Sequence, residues 1–198
     1  MDLRADVWEG LPELELEDRR QLAAHGPRLA RAWMGLEQVT VAAIEGPCFA
    51  GGLALAAMCD FRVSGRSATF AAPEVAIGLN MAWHSVPRLV RLLGPQPTRR
   101  LLLLGETWDA PTAHDFGLLD HVVDDEAAVA QAVEIAHRVA RRPVTAMRMV
   151  KRAIEATQHG GDVAWSGADG ELQLVNWTSR EFAAARAAIK TPRRKGQP

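Results

Sequence analysis

The stretch AAIEGPCFAGGLALAAMCD, residues 42–60, decides the fold of this chain. The apolar, β-branched run over residues 39–44 is typical of a parallel-sheet strand with both faces buried. Residues 51–59 are apolar on every side and rich in strong helix formers, which predicts an interior helix. Residues 60–64 and 68–70 then have the pattern of two short strands. We therefore predict a strand–helix–strand unit with parallel strands.

Helical patterns surround this unit on both sides. Apolar residues spaced three, four and seven apart predict an amphipathic helix over residues 18–36, after a polar surface loop. Residues 118–123 are predicted to form a brief extended segment between helices. The remaining helices are predicted at 86–93, 98–104, 110–116, 126–141, 143–156 and 176–188.

Composition and charge exclude several classes of protein. The chain has 198 residues, of which 48% are hydrophobic and 24% charged, as in an ordinary globular protein. Its formal net charge of −1 gives no positive field that would attract nucleic acid or an anionic membrane. The two cysteines, Cys48 and Cys59, lack CxxC spacing, so we expect small apolar core residues rather than a disulfide or a zinc site.

No segment has the pattern of a membrane span or of a signal peptide. The longest nearly uncharged run, residues 46–59, is shorter than the roughly 20 residues that cross a bilayer. The first residues carry mixed charges instead of the basic and apolar regions of a secretory signal. We therefore expect a cytoplasmic protein with neither a membrane nor a nucleic acid as its partner.

The paired glycines Gly51 and Gly52 are the first candidate for chemistry. A strand that ends in glycines and leads directly into a helix presents free backbone N–H groups to an anion or a developing oxyanion. The phosphate-loop motif GxxxxGK[ST], the dinucleotide motif GxGxxG and the serine-hydrolase motif GxSxG are all absent here. A simple packing turn in an α/β protein remains an alternative at this point.

Four segments, in this order and spacing, resemble the enoyl-CoA hydratase/isomerase (crotonase) family: EGPCFAGG at 45–52, MCD at 58–60, FRVSGRSATFAAPEVAIGL at 61–79 and LGETWDAPTAHDFGLLDHVV at 104–123. The resemblance implies an α/β fold with a ββα-spiral core. It assigns residues 1–125 to an acyl-CoA-binding core and residues 126–198 to a C-terminal helical region for trimerisation. The implied partners are an acyl-CoA thioester and further copies of the chain, as a homotrimer or a dimer of trimers. No cofactor or metal is implied, because coenzyme A is part of the substrate.

The resemblance also implies an oxyanion hole of two backbone N–H groups and chemistry through a stabilised enolate. Gly51 falls at the second oxyanion donor and Glu74 at an acid/base carboxylate. The apolar residues around Glu74 are expected to raise its pKa towards the range of a proton shuttle, although a solvated loop carboxylate is the alternative. The expected substrate-binding residues are Ala50, Gly52, Ala54, Ala82, Trp83 and His84. Residues 79–85 replace the usual glycine-rich segment after Glu74, so Trp83 and His84 are expected to reshape the acyl pocket.

Two departures from the family pattern bear on the reaction. The place of a second glutamate is taken by Ala54, so one carboxylate remains, which favours double-bond isomerisation over hydration. The first residues, Met1-Asp2-Leu3, coincide with the end of the family's AGxDL motif, so the first oxyanion donor and the earlier strands are expected before Met1. The core is therefore predicted to be N-terminally incomplete. The alternative is an impaired or non-catalytic member that keeps only the assembly surface.

Overall fold

The computed structural model of the chain describes residues 15–77, 81, 83 and 85–158. The helix predicted at 176–188 lies outside these residues. The elements in chain order are α1 (Leu16–Met34), β1 (Val41–Ile44), β2 (Pro47–Phe49), α2 (Gly51–Met58), β3 (Phe61–Gly65), β4 (Thr69–Ala71), a 3₁₀ helix (Glu74–Ile77), α3 (Ser85–Leu93), α4 (Pro95–Leu103), β5 (Trp108–Asp109), α5 (Ala110–Asp115), β6 (His121–Val123), α6 (Ala128–Ala140) and α7 (Val144–Gln158).

The strands form two small sheets within the described residues, in the orders β1-β3-β6 and β2-β4-β5. β1 pairs in parallel with β3, and α2 connects the two halves of the unit, which confirms the predicted strand–helix–strand arrangement. β2 pairs in parallel with β4, while β5 is antiparallel to β4. β2 was not predicted, because its first residue, Pro47, was taken as the end of the preceding strand; proline is tolerated at the first residue of an edge strand.

The prediction that the first strand is buried on both faces is wrong for this structure. Ala43 is exposed and the other residues of β1 are only half-buried. The reason lies in the sheet order, since β1 stands at the edge of its sheet among the described residues. Its apolar, β-branched composition indicated the strand correctly but not its position in the sheet.

The hydrophobic core forms around α2. Leu53 and Ala57 of this helix are fully buried and pack in one cluster with Phe70, Leu89 and Leu101. Each large apolar side chain buried in this way stabilises the fold by about 1.5–3 kcal/mol. The apolar character of the helix on every side is therefore explained by contacts on every side.

Both cysteines are free, buried thiols, as predicted. Burial raises the pKa of Cys48 to about 12. Burial also raises the pKa of Cys59, against the lowering effect of its hydrogen-bonding neighbours. Neither thiol is therefore activated as a nucleophile.

Glu45, which follows β1 and begins the first family-like segment, caps α6. Its carboxylate oxygens accept hydrogen bonds from the backbone N–H groups of Glu126, at 2.9 Å, and Ala128, at 2.6 Å. A carboxylate at a helix N-terminus satisfies donors that have no partner within the helix. The end of β1 is thus joined to the start of α6.

Contacts between residues divide the chain into two compact units, with the boundary after Ala136 inside α6. The first unit contains both sheets and α2. The functional boundary predicted between residues 125 and 126 stays a prediction. Among the residues described, no helix is both long and apolar enough to cross a membrane.

Candidate active site

The turn from β2 into α2 presents free amide donors. Ala50 precedes the helix with φ 51° and ψ −120°, a left-handed conformation that non-glycine residues rarely adopt. Its own N–H donates to the carbonyl of Ala71 at 3.1 Å, and its carbonyl accepts from Ala54 N–H at 2.9 Å. The N–H groups of Gly51, Gly52 and Leu53 belong to the first turn of the helix, where no carbonyl four residues earlier is available within the helix. We call this turn, Ala50 to Gly52, the glycine corner.

Two buried arginines bind the opposite end of α2. Arg88 Nε donates to the carbonyl of Ala57 at 3.0 Å, and Arg62 donates through a terminal guanidinium nitrogen to the carbonyl of Cys59 at 2.6 Å. Cations near a helix C-terminus interact favourably with the helix dipole. The positive end of that dipole lies at the N-terminus. In α2 that positive end is the glycine corner.

Glu74 lies where β4 ends and a 3₁₀ helix begins. Its Oε2 atom is buried and has no hydrogen-bond partner, and burial raises the pKa of the carboxyl group above its ordinary value. Of the apolar residues expected to surround Glu74, Phe70 and Ala72 are buried, whereas Val75 is 51% exposed. The solvated loop carboxylate considered as an alternative does not match a buried, unpartnered oxygen.

The hydrogen bond from Ala50 N–H to Ala71 O connects the corner to the segment that carries Glu74. Phe49 and Ala71 are also register partners in the β2–β4 pairing. Glu74 follows Ala71 by three residues, with Pro73 limiting the freedom of the chain between them. The β2–β4 pairing therefore fixes where the chain that leads to Glu74 starts relative to the glycine corner.

The indole of Trp83 borders the same corner. A Cβ atom added to Gly51 would lie 2.9 Å from Cη2 and 3.1 Å from Cζ3 of the ring, so only glycine leaves room for this approach. Trp83 is half-buried, packs against the main core and has a positive φ of 59°. The structure thus brings Gly51 and Trp83 together.

The other predicted substrate-binding residues differ in their surroundings. Ala54 is 2% exposed and lies in the core, where its methyl group offers no group that can transfer a proton. Gly52 is exposed, and a Cβ added to it would meet nothing within 4 Å. Ala82 and His84 lie outside the described residues.

Gly26 of α1 was not identified from the sequence. A Cβ atom on this buried residue would coincide with Nε1, Cε2 and Cδ1 of Trp83. The available signal was a glycine inside a helical pattern, followed by Pro27. A helix-interior glycine is unfavourable relative to alanine.

No metal centre is formed by the part of the chain that the structure describes. There, no three His, Cys, Asp or Glu side chains are grouped in a way that could hold an ion. The groups described for this site are the amides of the first turn of α2 at the glycine corner and the Glu74 carboxyl group with its raised pKa.

Amide donors at a helix N-terminus and a carboxyl group with a raised pKa are the kinds of groups that stabilise oxyanions and move protons in enzymes. The sequence profile of the enoyl-CoA hydratase/isomerase family matches residues 10–184. The chain belongs to this family, and its fold is the crotonase-like α/β fold.

The similar curated proteins carry hydratase or isomerase/hydratase names. The chain is 32% identical to a crotonyl-CoA hydratase from Syntrophomonas wolfei over 72% of its own length and 55% of the relative's. It is 36% identical to a mevalonyl-coenzyme A hydratase from Aspergillus fumigatus over 72% of its length and 52% of the relative's. The crystal structure of an enoyl-CoA hydratase from Bacillus anthracis is similar with a TM-score of 0.85 and 25% identity, over 94% of this chain and 72% of that one. The chain thus spans about half the length of the curated relatives it matches.

Proposed function

We propose that the chain acts on acyl-CoA thioesters through an enolate, with Gly51 N–H holding the carbonyl oxygen and Glu74 transferring the proton. The observation that carries this proposal is the buried Oε2 of Glu74, which has no hydrogen-bond partner. Burial raises the pKa of this carboxyl group despite a hydrogen bond from its own backbone N–H, and the raised pKa makes it a stronger base than an ordinary glutamate.

In the proposed step, the Glu74 carboxylate removes a proton from C2 of a 3-enoyl thioester. The electron pair of the C2–H bond forms a C1=C2 double bond, and the carbonyl electrons move to the oxygen that accepts from Gly51 N–H. Return of the proton from Glu74 to C4 then restores the carbonyl and leaves the double bond between C2 and C3. One amide donor of this kind contributes roughly 2.7–4 kcal/mol to transition-state stabilisation.

We infer isomerisation rather than hydration from Ala54. Hydration requires one group to activate water at C3 and another to protonate C2, whereas the isomerisation above needs a single carboxylate. Ala54 stands at the place of the second glutamate, in the core, and supplies no such group. The hydratase names of the relatives argue in the other direction, so product analysis must decide.

We also propose that the protein assembles as a homotrimer or a dimer of trimers. Supporting this, Leu103 and Leu104 at the end of α4 are 66% and 72% exposed. Large apolar side chains with this exposure are typical of surfaces that other subunits cover. A cytoplasmic location stays a prediction.

The test is turnover of matched 2-enoyl and 3-enoyl thioesters by the purified chain, with products identified by proton NMR. We expect isomerisation of the 3-enoyl substrate and a fall of about 10²–10⁴-fold in kcat for Glu74→Gln. Glu134→Gln, an exposed glutamate of α6, is the matched control and should keep wild-type activity. Turnover that survives Glu74→Gln contradicts the assigned base, and a failure to bind any thioester favours the non-catalytic alternative.

A further inference from the structure

Trp83 is held in an unfavourable backbone conformation. Its φ of 59° lies in the left-handed region, which bulky side chains rarely occupy. Such a conformation costs about 1–3 kcal/mol and persists only where the surroundings impose it, commonly at functional sites. The position of this indole therefore calls for a reason beyond packing.

Two glycines from different helices receive the indole. The five-membered ring, through Nε1 and Cδ1, occupies the space beside Gly26 of α1. The outer edge of the six-membered ring, through Cη2 and Cζ3, reaches Gly51. The indole thus extends from α1 to the glycine corner, and a Cβ at either glycine would displace it.

Glycine at position 26 lowers the stability of helix α1. A glycine inside a helix costs about 1 kcal/mol relative to alanine. Gly26 is buried in α1, and the three atoms nearest to its absent Cβ all belong to the Trp83 ring. Gly26 and the backbone of Trp83 therefore each lower the stability of the fold, and both are needed to place the same indole. Such local departures from stable choices point to a functional site.

The indole and the proton-transferring carboxylate come from the same connection. Glu74 and Trp83 both lie between β4 and α3. A carboxylate that moves a proton on the acyl carbons must stand on the acyl side of the thioester, so the segment that carries it borders that side. An indole edge within van der Waals reach of Gly51 leaves little room there for a long chain.

We propose that the Trp83 indole is the wall of the acyl pocket and restricts the protein to short acyl groups. This inference rests on the proposed function, because it requires the thioester carbonyl at Gly51. It makes Trp83 a specificity-determining residue and Gly26 a positioning residue that acts through it. Neither residue takes part in the proton transfer.

The test is calorimetric binding of saturated butanoyl-, hexanoyl-, octanoyl- and decanoyl-CoA, none of which requires turnover. For the wild-type chain we expect affinity to fall as the acyl group lengthens. Trp83→Ala should raise the affinity for decanoyl-CoA relative to butanoyl-CoA by at least about tenfold, since pocket contacts discriminate by roughly 10–200-fold per methylene. Trp83→Phe, which keeps an aromatic ring, should shift the preference by a smaller factor.

Gly26→Ala tests the same wall from its far side, because it substitutes neither Trp83 nor a residue of the glycine corner. The added methyl group should displace the indole and change the dependence of affinity on chain length. Gly46→Ala is the matched control, because a Cβ there meets nothing within 4 Å, and it should leave the dependence unchanged. Circular dichroism establishes that each variant is folded, and Trp83→Phe and Gly26→Ala carry the test if Trp83→Ala does not fold.

The inference is overturned if the variants of Trp83 change the affinity for every chain length by one common factor, or if the wild type binds butanoyl- and decanoyl-CoA equally. Failure of the proposed function has a different signature, namely turnover that is insensitive to Glu74→Gln while the length dependence still shifts. A wild-type chain that binds no thioester of any length overturns both.

Discussion

Gly51 and Gly52 are neighbours in sequence but have different surroundings. A methyl group on Gly51 would lie 2.9 Å from the Trp83 ring, whose opposite end is confined by Gly26, whereas one on Gly52 has open space. We predict that Gly51→Ala lowers the free energy of unfolding by about 1–3 kcal/mol, the usual cost of overpacking. Gly52→Ala should raise it by about 0.4–1 kcal/mol, because alanine loses less backbone entropy. Urea unfolding of both variants checks this, and equal shifts would contradict the packing described.

Glu74 should make stability depend on pH. Burial raises the pKa of its carboxyl group in the folded state, so the folded protein favours the protonated form. The resulting stability is present below the ordinary pKa of glutamate and is lost as the pH rises through the raised pKa. Glu74→Gln, which stays neutral, should therefore have a higher free energy of unfolding than the wild type at pH 7.

The difference between Glu74→Gln and the wild type should disappear as the pH falls below the ordinary range of glutamate. Urea unfolding of both proteins across this pH range measures it. A difference that is constant with pH would mean that the carboxyl group is as well solvated in the folded state as in the unfolded one.

Single-residue features were predictable from the sequence only where they depend on near neighbours. The burial of Phe70 and Ala72 matches the expectation of apolar residues just before Glu74 in the sequence. The pairing of Gly26 with Trp83 joins residues that are distant in the chain, and no local pattern connects them. Arg88, which binds the end of α2, was missed for the same reason.

Among the elements, α2 depends on contacts at both of its ends. Arg88 is buried and donates to Ala57 O near the helix C-terminus. We predict that Arg88→Met lowers the free energy of unfolding by about 1–3 kcal/mol, because a buried carbonyl loses a charged donor. Arg91, an exposed residue of α3, the helix that also carries Arg88, provides the control. Arg91→Met should change the free energy of unfolding by less than about 0.5 kcal/mol. Thermal or urea unfolding distinguishes them, and similar effects at both positions would remove the role assigned to Arg88.

Length alone did not decide which elements the sequence could predict, since β4 and β6, with three residues each, were predicted as extended segments. The amphipathic α1 and the uniformly apolar α2 were predicted to within a few residues, because their patterns extend over several turns. β2 and β5 contain three and two residues, too few for an alternating pattern. Both strands exist because β4 offers them a partner, which is a tertiary effect.

For the whole molecule, the resemblance carried more information than the hydrophobic pattern. Periodicity predicted a parallel α/β unit but not its division into two small sheets. The segments at 45–52, 61–79 and 104–123 identified the family, which the profile match over residues 10–184 confirms. They do not determine the reaction, because Ala54 and Trp83 occupy positions where this chain departs from the family pattern.

The proposed assembly leads to a prediction about mass in solution. Exposed leucines at the end of α4 are expected to be covered by other copies of the chain. Sedimentation velocity should therefore give a species of three times the 21.5 kDa chain mass, or twice that trimer. Leu103→Glu combined with Leu104→Glu should shift the species towards the monomer. A wild-type chain that sediments as a monomer at micromolar concentration would contradict the proposal.

Formation of an enolate by one glutamate beside one glycine amide can be measured without a double bond in the substrate. Butanoyl-CoA in D₂O has C2 hydrogens that exchange only if a base removes them, and proton NMR follows their loss. The wild-type chain should catalyse this exchange, and Glu74→Gln should slow it by about 10²-fold or more. Equal exchange rates for the two proteins would show that Glu74 is not the base.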